Sequence, residues 1–406
     1  MASLINFRKY VLIGFLLLCS TLHASFIEQT MGTAVVKDAT ALYFNPAALT
    51  ISPHQQFILL GTLARAQFEF SGSAQKIPFG GSESGSTATK SNFFLPSMYL
   101  SIPINERFVA GFAVVANDFN RELDNQPILR YFLARNQTKN IDLIPALGIK
   151  INQFLSIGGN INFTYAHLIQ EPIAAGIPRL NIPESRSLND SQANNVGGDF
   201  GILIKPGKKT ALGLNYRSAV TYNLQGRSTI TASQSISSND YHFKYWTPAR
   251  SVATLSHFIN EKLGFLGTVQ YLQWNIFKEV SVHNFATQAG SQVLIIPRTL
   301  INYHFHNSWL LTLGTIYQVS PKWVVRVAGT YNQSPSNGRF QIGAGDSFIT
   351  GFSMGYRLMN HLTVDCGYAH AFYRKAPIDI LTSQNIITGI NEGYHDAVSL
   401  KFTLTA

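Results

Sequence analysis

The 406-residue sequence predicts an all-β protein, a transmembrane antiparallel β-barrel of about 14 strands with an N-terminal plug inside the lumen. Three observations predict it. Beyond the first 24 residues no run of about eighteen apolar residues occurs, although 46% of the chain is hydrophobic, so no helical membrane span is available. Apolar residues recur instead at every second position. Short turns and long connections alternate along the chain, as in a barrel with tight turns at one rim and loops at the other.

The chain opens as an export signal. Arg8-Lys9 precede the apolar run Val11 to Leu18, and Leu22-His-Ala24 forms a cleavage site before Ser25. Residues 1–24 therefore read as a signal peptide, 25–55 as the plug and 56–406 as the barrel. Cleavage removes Arg8 and Lys9 and no acid, taking the formal charge from +10 to +8. The basic residues are scattered, which suits anionic lipid headgroups or acidic solutes and argues against a nucleic-acid partner. Leu16-Leu-Leu-Cys19 resembles a lipidation box, but Leu18 is too bulky for that processing. Cys366 is then the one remaining cysteine, which excludes an intramolecular disulfide framework or a multi-cysteine metal site.

Each strand has a polar and an apolar face. Ser156, Gly158, Asn160, Asn162 and Thr164 alternate with Leu155, Ile157, Ile161, Phe163 and Tyr165. Leu212, Leu214, Tyr216, Val220, Tyr222 and Leu224 oppose Asn215, Arg217, Thr221 and Asn223, and Trp323, Val325, Val327 and Tyr331 oppose Arg326, Thr330 and Asn332. Candidate strands lie near 56–70, 91–103, 108–116, 140–152, 155–168, 196–205, 210–224, 249–259, 263–274, 308–318, 323–332, 347–357, 362–372 and 397–406. Every second connection is short, at residues 104–107, 153–154, 206–209, 260–262, 320–322 and 359–361. Trp274, Trp309, Trp323, Tyr356 and Tyr368 are expected in interfacial girdles.

Between signal and first strand lies Asp38-Ala-Thr-Ala-Leu-Tyr-Phe-Asn-Pro-Ala-Ala-Leu-Thr50. Asn45-Pro46 predicts a turn, since proline fixes its own φ and drives the preceding residue out of the helical region. Ala47, Ala48 and Leu49 add small apolar surface suited to close packing. No Gly-x-Ser-x-Gly elbow, His-Glu-x-x-His pair or phosphate loop occurs, and no enzymatic activity, cofactor or metal is expected. His304-Phe-His306 would share a strand face, but a pair of histidines is short of a metal site.

Asp38 to Thr50 resembles the hatch motif of the FadL/TodX family of outer-membrane hydrophobic-compound transporters, centred on Asn45-Pro46-Ala47. Further similarities follow in the family's order: Leu129-Arg-Tyr131, Gly213-Leu-Asn-Tyr-Arg-Ser218, Tyr271-Leu-Gln-Trp-Asn-Ile-Phe277, Tyr331-Asn-Gln-Ser-Pro335 and Asp365-Cys-Gly-Tyr-Ala-His370. The sequence departs from the pattern in its non-aromatic end, Phe402 to Ala406, and in Ala48 where glycine is usual.

The resemblance implies a monomeric barrel in the outer membrane of a Gram-negative bacterium, set among membrane lipid and lipopolysaccharide and inserted by the barrel assembly machinery. It implies passive uptake of long-chain fatty acids or similar hydrophobic compounds, with release after the hatch rearranges and exit through a lateral opening. Aromatic-hydrocarbon uptake, an open porin and a surface adhesin or receptor remain the alternatives. Ile128, Leu129, Tyr131, Phe132 and Leu133 are candidates for an outer apolar groove or for self-packing of their loop, and Arg130 for a carboxylate contact or a lumen ion pair. Arg217 and Arg326 read as structural lumen charges. Ser25 and Phe26 are candidate ligand contacts at the mature N-terminus, and Gly111 marks either a break in the wall or a packing accommodation.

Overall fold

The computed structural model describes residues 26–52, 54–76, 81–124, 127–129, 135–174, 180–232, 234–289, 291–381 and 385–406. Among them the strands, in chain order, are β1 (Gln56–Lys76), β2 (Ser82–Pro103), β3 (Phe108–Asp124), β4 (Arg135–Lys150), β5 (Leu155–Glu171), β6 (Ile173–Ala174) and β7 (Ser185–Ile204). There follow β8 (Thr210–Arg217), β9 (Val220–Thr231), β10 (Ser235–Thr247), β11 (Arg250–Phe258), β12 (Leu263–Leu272), β13 (Glu279–Ala289) and β14 (Gln292–Asn302). The last six are β15 (Ser308–Gln318), β16 (Trp323–Asn332), β17 (Ser347–Met359), β18 (Leu362–Tyr373), β19 (Ala376–Leu381) and β20 (Asn385–Thr405).

Fourteen of these make the wall: β1 to β5, β7, β8, β11, β12, β15 to β18 and β20, each antiparallel to the next. The circle closes where β20 returns to β1, in register from Gln56↔Thr405 to Lys76↔Asn385. Closure satisfies the backbone N–H and C=O groups of the wall without water, except along β2 and β3 beyond the Ser97↔Val115 pair. The alternation sorts as expected: in β5, Ser156, Asn160, Asn162 and Thr164 are buried toward the lumen, whereas Ile161 and Phe163 stand outward, about half exposed. At the short-turn rim one device recurs. Asn105, Asn152 and Asn260 each accept backbone N–H bonds two and three residues on, closing turns of the Asx type.

At the opposite rim much of what the sequence places in long loops is strand. The β9–β10 and β13–β14 hairpins, β19 and the outer parts of β1, β2, β7 and β20 all rise beyond the predicted limits. The single strand expected over 210–224 is two, broken at Ser218-Ala219. The break reverses the faces, so Val220, Tyr222 and Leu224 turn inward and Thr221 and Asn223 outward, the opposite of an uninterrupted alternation. Val220, Tyr222 and Leu224 join an apolar cluster that includes Phe243, Leu272, Trp274, Phe277, Tyr303 and Phe305. Trp274 is thus a core residue, whereas Trp309, Trp323 and Tyr368 face outward. His304 and His306 lie in the irregular stretch after β14, with His304 at φ +47°, and share no strand face.

Inside the barrel lie two one-turn helices, α1 (Ile27–Thr30) and α2 (Ala41–Phe44), and two 3-10 turns, Thr33–Val35 and Pro46–Ile51. These helices are far too short to stand alone, and their side chains are buried against the wall. What admits them is a stripe of glycine. Gly148, Gly158 and Gly201 are register partners across β4, β5 and β7. A Cβ on Gly148 would lie 2.9 Å from Pro46 O, one on Gly158 would lie 2.5 Å from Ala47 N, and one on Gly201 would collide with the Asn45 side chain. Gly213 is closed to a side chain by Ala34 in the same way.

The stripe carries a prediction. Gly158→Val and Gly201→Val keep the outward face intact but overpack the plug seat, which costs about 1–3 kcal/mol of docking. Each variant should still show heat-modifiable migration, as a closed barrel does, and should conduct ions more than the parent in planar bilayers; parental conductance in both would show that the plug does not seat on these glycines.

Candidate functional site

Asn45 organises the plug. Its backbone is extended at φ −164°, its Oδ1 accepts from Ala47 N at 3.2 Å, and Pro46 occupies the first position of the following turn, where a missing N–H costs nothing. Its Nδ2 donates to Ala34 O at 2.7 Å and to Ile202 O of β7 at 3.2 Å. One side chain therefore caps a turn, joins two parts of the plug and fixes both to the wall. Asn160 Nδ2 donates to Leu42 O at 2.7 Å, and Thr50 Oγ1 donates to Ser156 Oγ at 2.8 Å.

A second anchor is ionic. Lys401 of β20 is fully buried, with Nζ 2.9 Å from Asp38 Oδ2 and 3.3 Å from Glu28 Oε1. Burial by itself would raise the Asp38 pKa, but Lys401 and the Thr40 hydrogen bonds outweigh it and hold the carboxyl below its ordinary value. Nearby, the Lys37 Nζ sits 4.6 Å from the Phe258 ring centroid, at an exposed position of the plug.

Above the plug the lumen gathers charge around Tyr43. Arg217 places Nε 3.2 Å from Asp199 Oδ2 and Nη2 3.6 Å from Asp142 Oδ2, and donates to Asn162 Oδ1 at 3.0 Å. Its guanidinium carbon lies 4.2 Å from the Tyr43 ring centroid, a cation–π distance. Arg250, the register partner of Arg217 on β11, stands 5.9 Å from the same ring. Arg250 is only 3% exposed, and its Nε and Nη2 have no hydrogen-bond partner among the described residues. Leu272, the partner of Arg250 on β12, belongs to the aromatic cluster at the long-loop end. A buried guanidinium with unused donors thus sits between an apolar cluster and the plug, an arrangement suited to holding an anionic group on an apolar molecule.

The wall is not uniform on the other side. β2 and β3 pair from Pro103↔Val109 to Ser97↔Val115 and no further, although both strands continue. β3 is also irregular against β4, slipping between Ala116 and Asp118 and again before Arg121. Gly111 lies in the regular part, paired with Ser101 and Ala146, and a Cβ there would meet Leu42 of the plug at 2.8 Å. The separation of the strands begins beyond Val115.

The other residues singled out from the sequence are dispersed. Phe26 is buried against Ala328, Ile349, Ala369 and Ala371. Ile128 and Leu129 are buried in a cluster with Phe70, Ala74, Ile342, Ile378 and neighbours, packed and not bare. Ser25, Arg130, Tyr131, Phe132 and Leu133 lie outside the described residues. Arg326 pairs with Asp365 at 2.9 Å, and Arg217 with two acids, so both are neutralised lumen charges. Sequence reasoning missed Arg250, Tyr43, Lys401 and the glycine stripe. The available signal was that each occupies a lumen-facing or plug position where a solvated or lipid-facing residue is not required. A groove of about 440 Å³ lined by Phe200, Leu214, Tyr216, Val269, Tyr271 and Trp309 opens on the outer face and is separate from this path.

A closed fourteen-strand barrel with an apolar outer belt, a polar inner face and a plug folded into its lumen defines an outer-membrane transport channel. The chain belongs to the outer membrane protein transport family described as OMPP1/FadL/TodX, whose model matches residues 29–405. It is similar to outer membrane protein P1 of Haemophilus influenzae, 21% identical over 381 residues that cover 83% of this chain and 81% of that one. Its fold matches the crystal structure of a Pseudomonas aeruginosa FadL homologue at a TM-score of 0.78, with 18% identity over 92% of this chain and 95% of that one. It also matches that of the Ralstonia pickettii toluene transporter TbuX at 0.66, with 15% identity over 98% and 99%. The family places the chain in the Gram-negative outer membrane, in transport of hydrophobic compounds.

Two outcomes follow from the ionic anchor. Lys401→Met leaves Asp38 and Glu28 buried without their cation, a loss of about 3–5 kcal/mol, and limited proteolysis should find the plug of that variant open to cleavage while the parent stays resistant. Because the folded-state pKa of Asp38 is depressed, its contribution to docking is complete above a pH of about 4 and is lost as pH falls through the folded value. Plug mobility followed by a spin label should therefore be flat from neutral to mildly acidic pH and rise only below that; a rise between pH 8 and 6 would refute the assignment.

Proposed function

We propose that this channel carries long-chain fatty acids, or similar apolar molecules ending in a carboxylate, passively across the outer membrane, with passage gated by rearrangement of the N-terminal plug. The observation that carries this reading is Arg250, buried beside the plug with its Nε and Nη2 donors unused among the described residues. A carboxylate arriving there exchanges an unmatched buried cation for a charge-assisted, two-point hydrogen bond. An acyl tail finds its match in the aromatic cluster of Tyr222, Tyr245, Trp246, Phe277 and their neighbours. Movement runs down a gradient, and the apolar path lowers the barrier that the polar lipopolysaccharide layer sets for such a solute.

On this reading the cluster holding Ile128 and Leu129 is part of the outer entrance, and Arg130 is a first contact for the carboxylate. Exit is lateral, between β2 and β3 beyond the Ser97–Val115 pair, in place of a break at Gly111. On this reading the channel works as a monomer: one chain completes the wall, and no second copy is needed to close it. Uptake of neutral aromatic hydrocarbons is the second reading, favoured by the density of rings in the lumen cluster; it gives Arg250 no role.

Uptake of radiolabelled oleate and toluene by Gram-negative cells lacking their own transporter separates the two. Arg250→Leu should reduce oleate uptake about tenfold or more, the loss of one charged hydrogen-bonding partner, and leave toluene uptake unchanged. Equal loss of both, or of neither, would count against a carboxylate-reading channel.

A further inference from the structure

We infer that Tyr43 is the residue through which occupancy of the lumen reaches the plug and the wall together. The inference rests on the reading of Arg250 as the carboxylate station, and it adds the element that station acts on.

Three contacts meet at this one side chain. The ring face lies under Arg217 and within reach of Arg250. The backbone belongs to the last turn of α2, two residues before Asn45, whose N–H closes that turn onto Ala41 O at 2.8 Å. The hydroxyl donates to Asn117 Oδ1 at 2.7 Å, and Asn117 Nδ2 donates in turn to Asp142 Oδ2 at 2.7 Å.

Asn117 is an unusual residue of β3. Ala116 pairs with Ile141 and Asp118 with Asn140, so Asn117 is the extra residue of a bulge. The bulge follows directly on Val115, the last residue of β3 paired with β2. The Tyr43 hydroxyl therefore holds the point at which β3 leaves β2, and the same side chain is wired through Asn45 to the seat of the plug.

The physics of the coupling is differential binding. With the station empty, the two guanidinium groups share the negative face of the Tyr43 ring. A carboxylate bound to Arg250 neutralises that cation and weakens its hold on the ring, while Arg217 stays committed to Asp199 and Asp142. The state with Tyr43 seated loses stabilisation and the state with Tyr43 released does not, which is what a ligand must do to shift an equilibrium. Release of Tyr43 frees Asn45-Pro46-Ala47 from the glycine stripe and frees Asn117 from the plug in one movement. By linkage, an unseated plug binds the carboxylate more tightly by the same factor.

The test uses the full-length barrel with Cys366→Ser and a nitroxide on Lys37→Cys, a position exposed on the plug. Tyr43→Phe keeps the ring under the guanidinium groups and removes the hydroxyl; Asn117→Leu removes the same bond from the wall side. Loss of one buried hydrogen bond should raise the mobile fraction of the label in the ligand-free protein about five- to tenfold in either variant. Adding oleate should then increase mobility much less than in the parent, while calorimetric oleate binding to Tyr43→Phe stays within about threefold of the parent. Ligand-free mobility and oleate response equal to the parent in both variants, with heat-modifiable migration intact, would overturn the inference. A parent that binds no oleate would remove the fatty-acid reading alone, because the ligand-free comparison still decides whether Tyr43 and Asn117 hold the plug.

Discussion

The structure depends on one close contact, the seating of the Asn45-Pro46-Ala47 backbone on the glycine stripe of β4, β5 and β7. A barrel of fourteen strands is too wide for its own side chains to fill. Something else has to occupy the lumen, and the plug does so with backbone and small residues because the wall has withdrawn its side chains there. Both partners are needed: Cβ atoms at Gly158 and Gly201 would hold the plug off, and without Asn45 the turn would have neither a cap nor a bond to Ile202. The contact is broad but shallow, made of hydrogen bonds and small-residue packing. It suits an element that is ordered at rest and displaced in use.

Charge in the lumen follows a related logic. Lys401, Arg326 and Arg217 are each matched to carboxylates within 2.9 to 3.6 Å, and they tie wall to plug or strand to strand. Buried cations of that kind contribute specificity of placement more than net stability, because desolvation offsets most of the attraction. Arg250 departs from the pattern and lies where the aromatic cluster ends and the plug begins. A transport path needs such an unsatisfied point: a fully matched lumen would have no reason to hold a passing ligand.

The irregular parts of the wall also fall into place. The break at Ser218-Ala219 turns Val220, Tyr222 and Leu224 from the outer to the inner face, and this converts part of the barrel's upper wall into the lining of an apolar cluster. The bulge at Asn117 and the early end of the β2–β3 ladder weaken one seam. Both defects sit on the long-loop side of the plug, where a solute from outside meets the barrel first.

The sequence by itself determined the class of structure, because a period of two combined with an export signal and alternating loop lengths admits few other solutions. It placed a turn at Asn45-Pro46, since proline there cannot continue a helix or a central strand, and left open whether that turn lies on the surface or in a plug until the barrel and the hatch-like motif around it are considered. Tertiary structure decided the site. Arg217 and Arg250 are 33 positions apart and become neighbours through register alone, and Tyr43 meets Asn117 across 74 positions. Parity could not reveal that Tyr222 faces inward, because a two-residue interruption reverses every side chain beyond it and leaves the apolar spacing unchanged. The glycine stripe was illegible for a like reason. Gly148, Gly158 and Gly201 are ordinary in their own strands and acquire meaning only when the three strands are laid side by side against the plug.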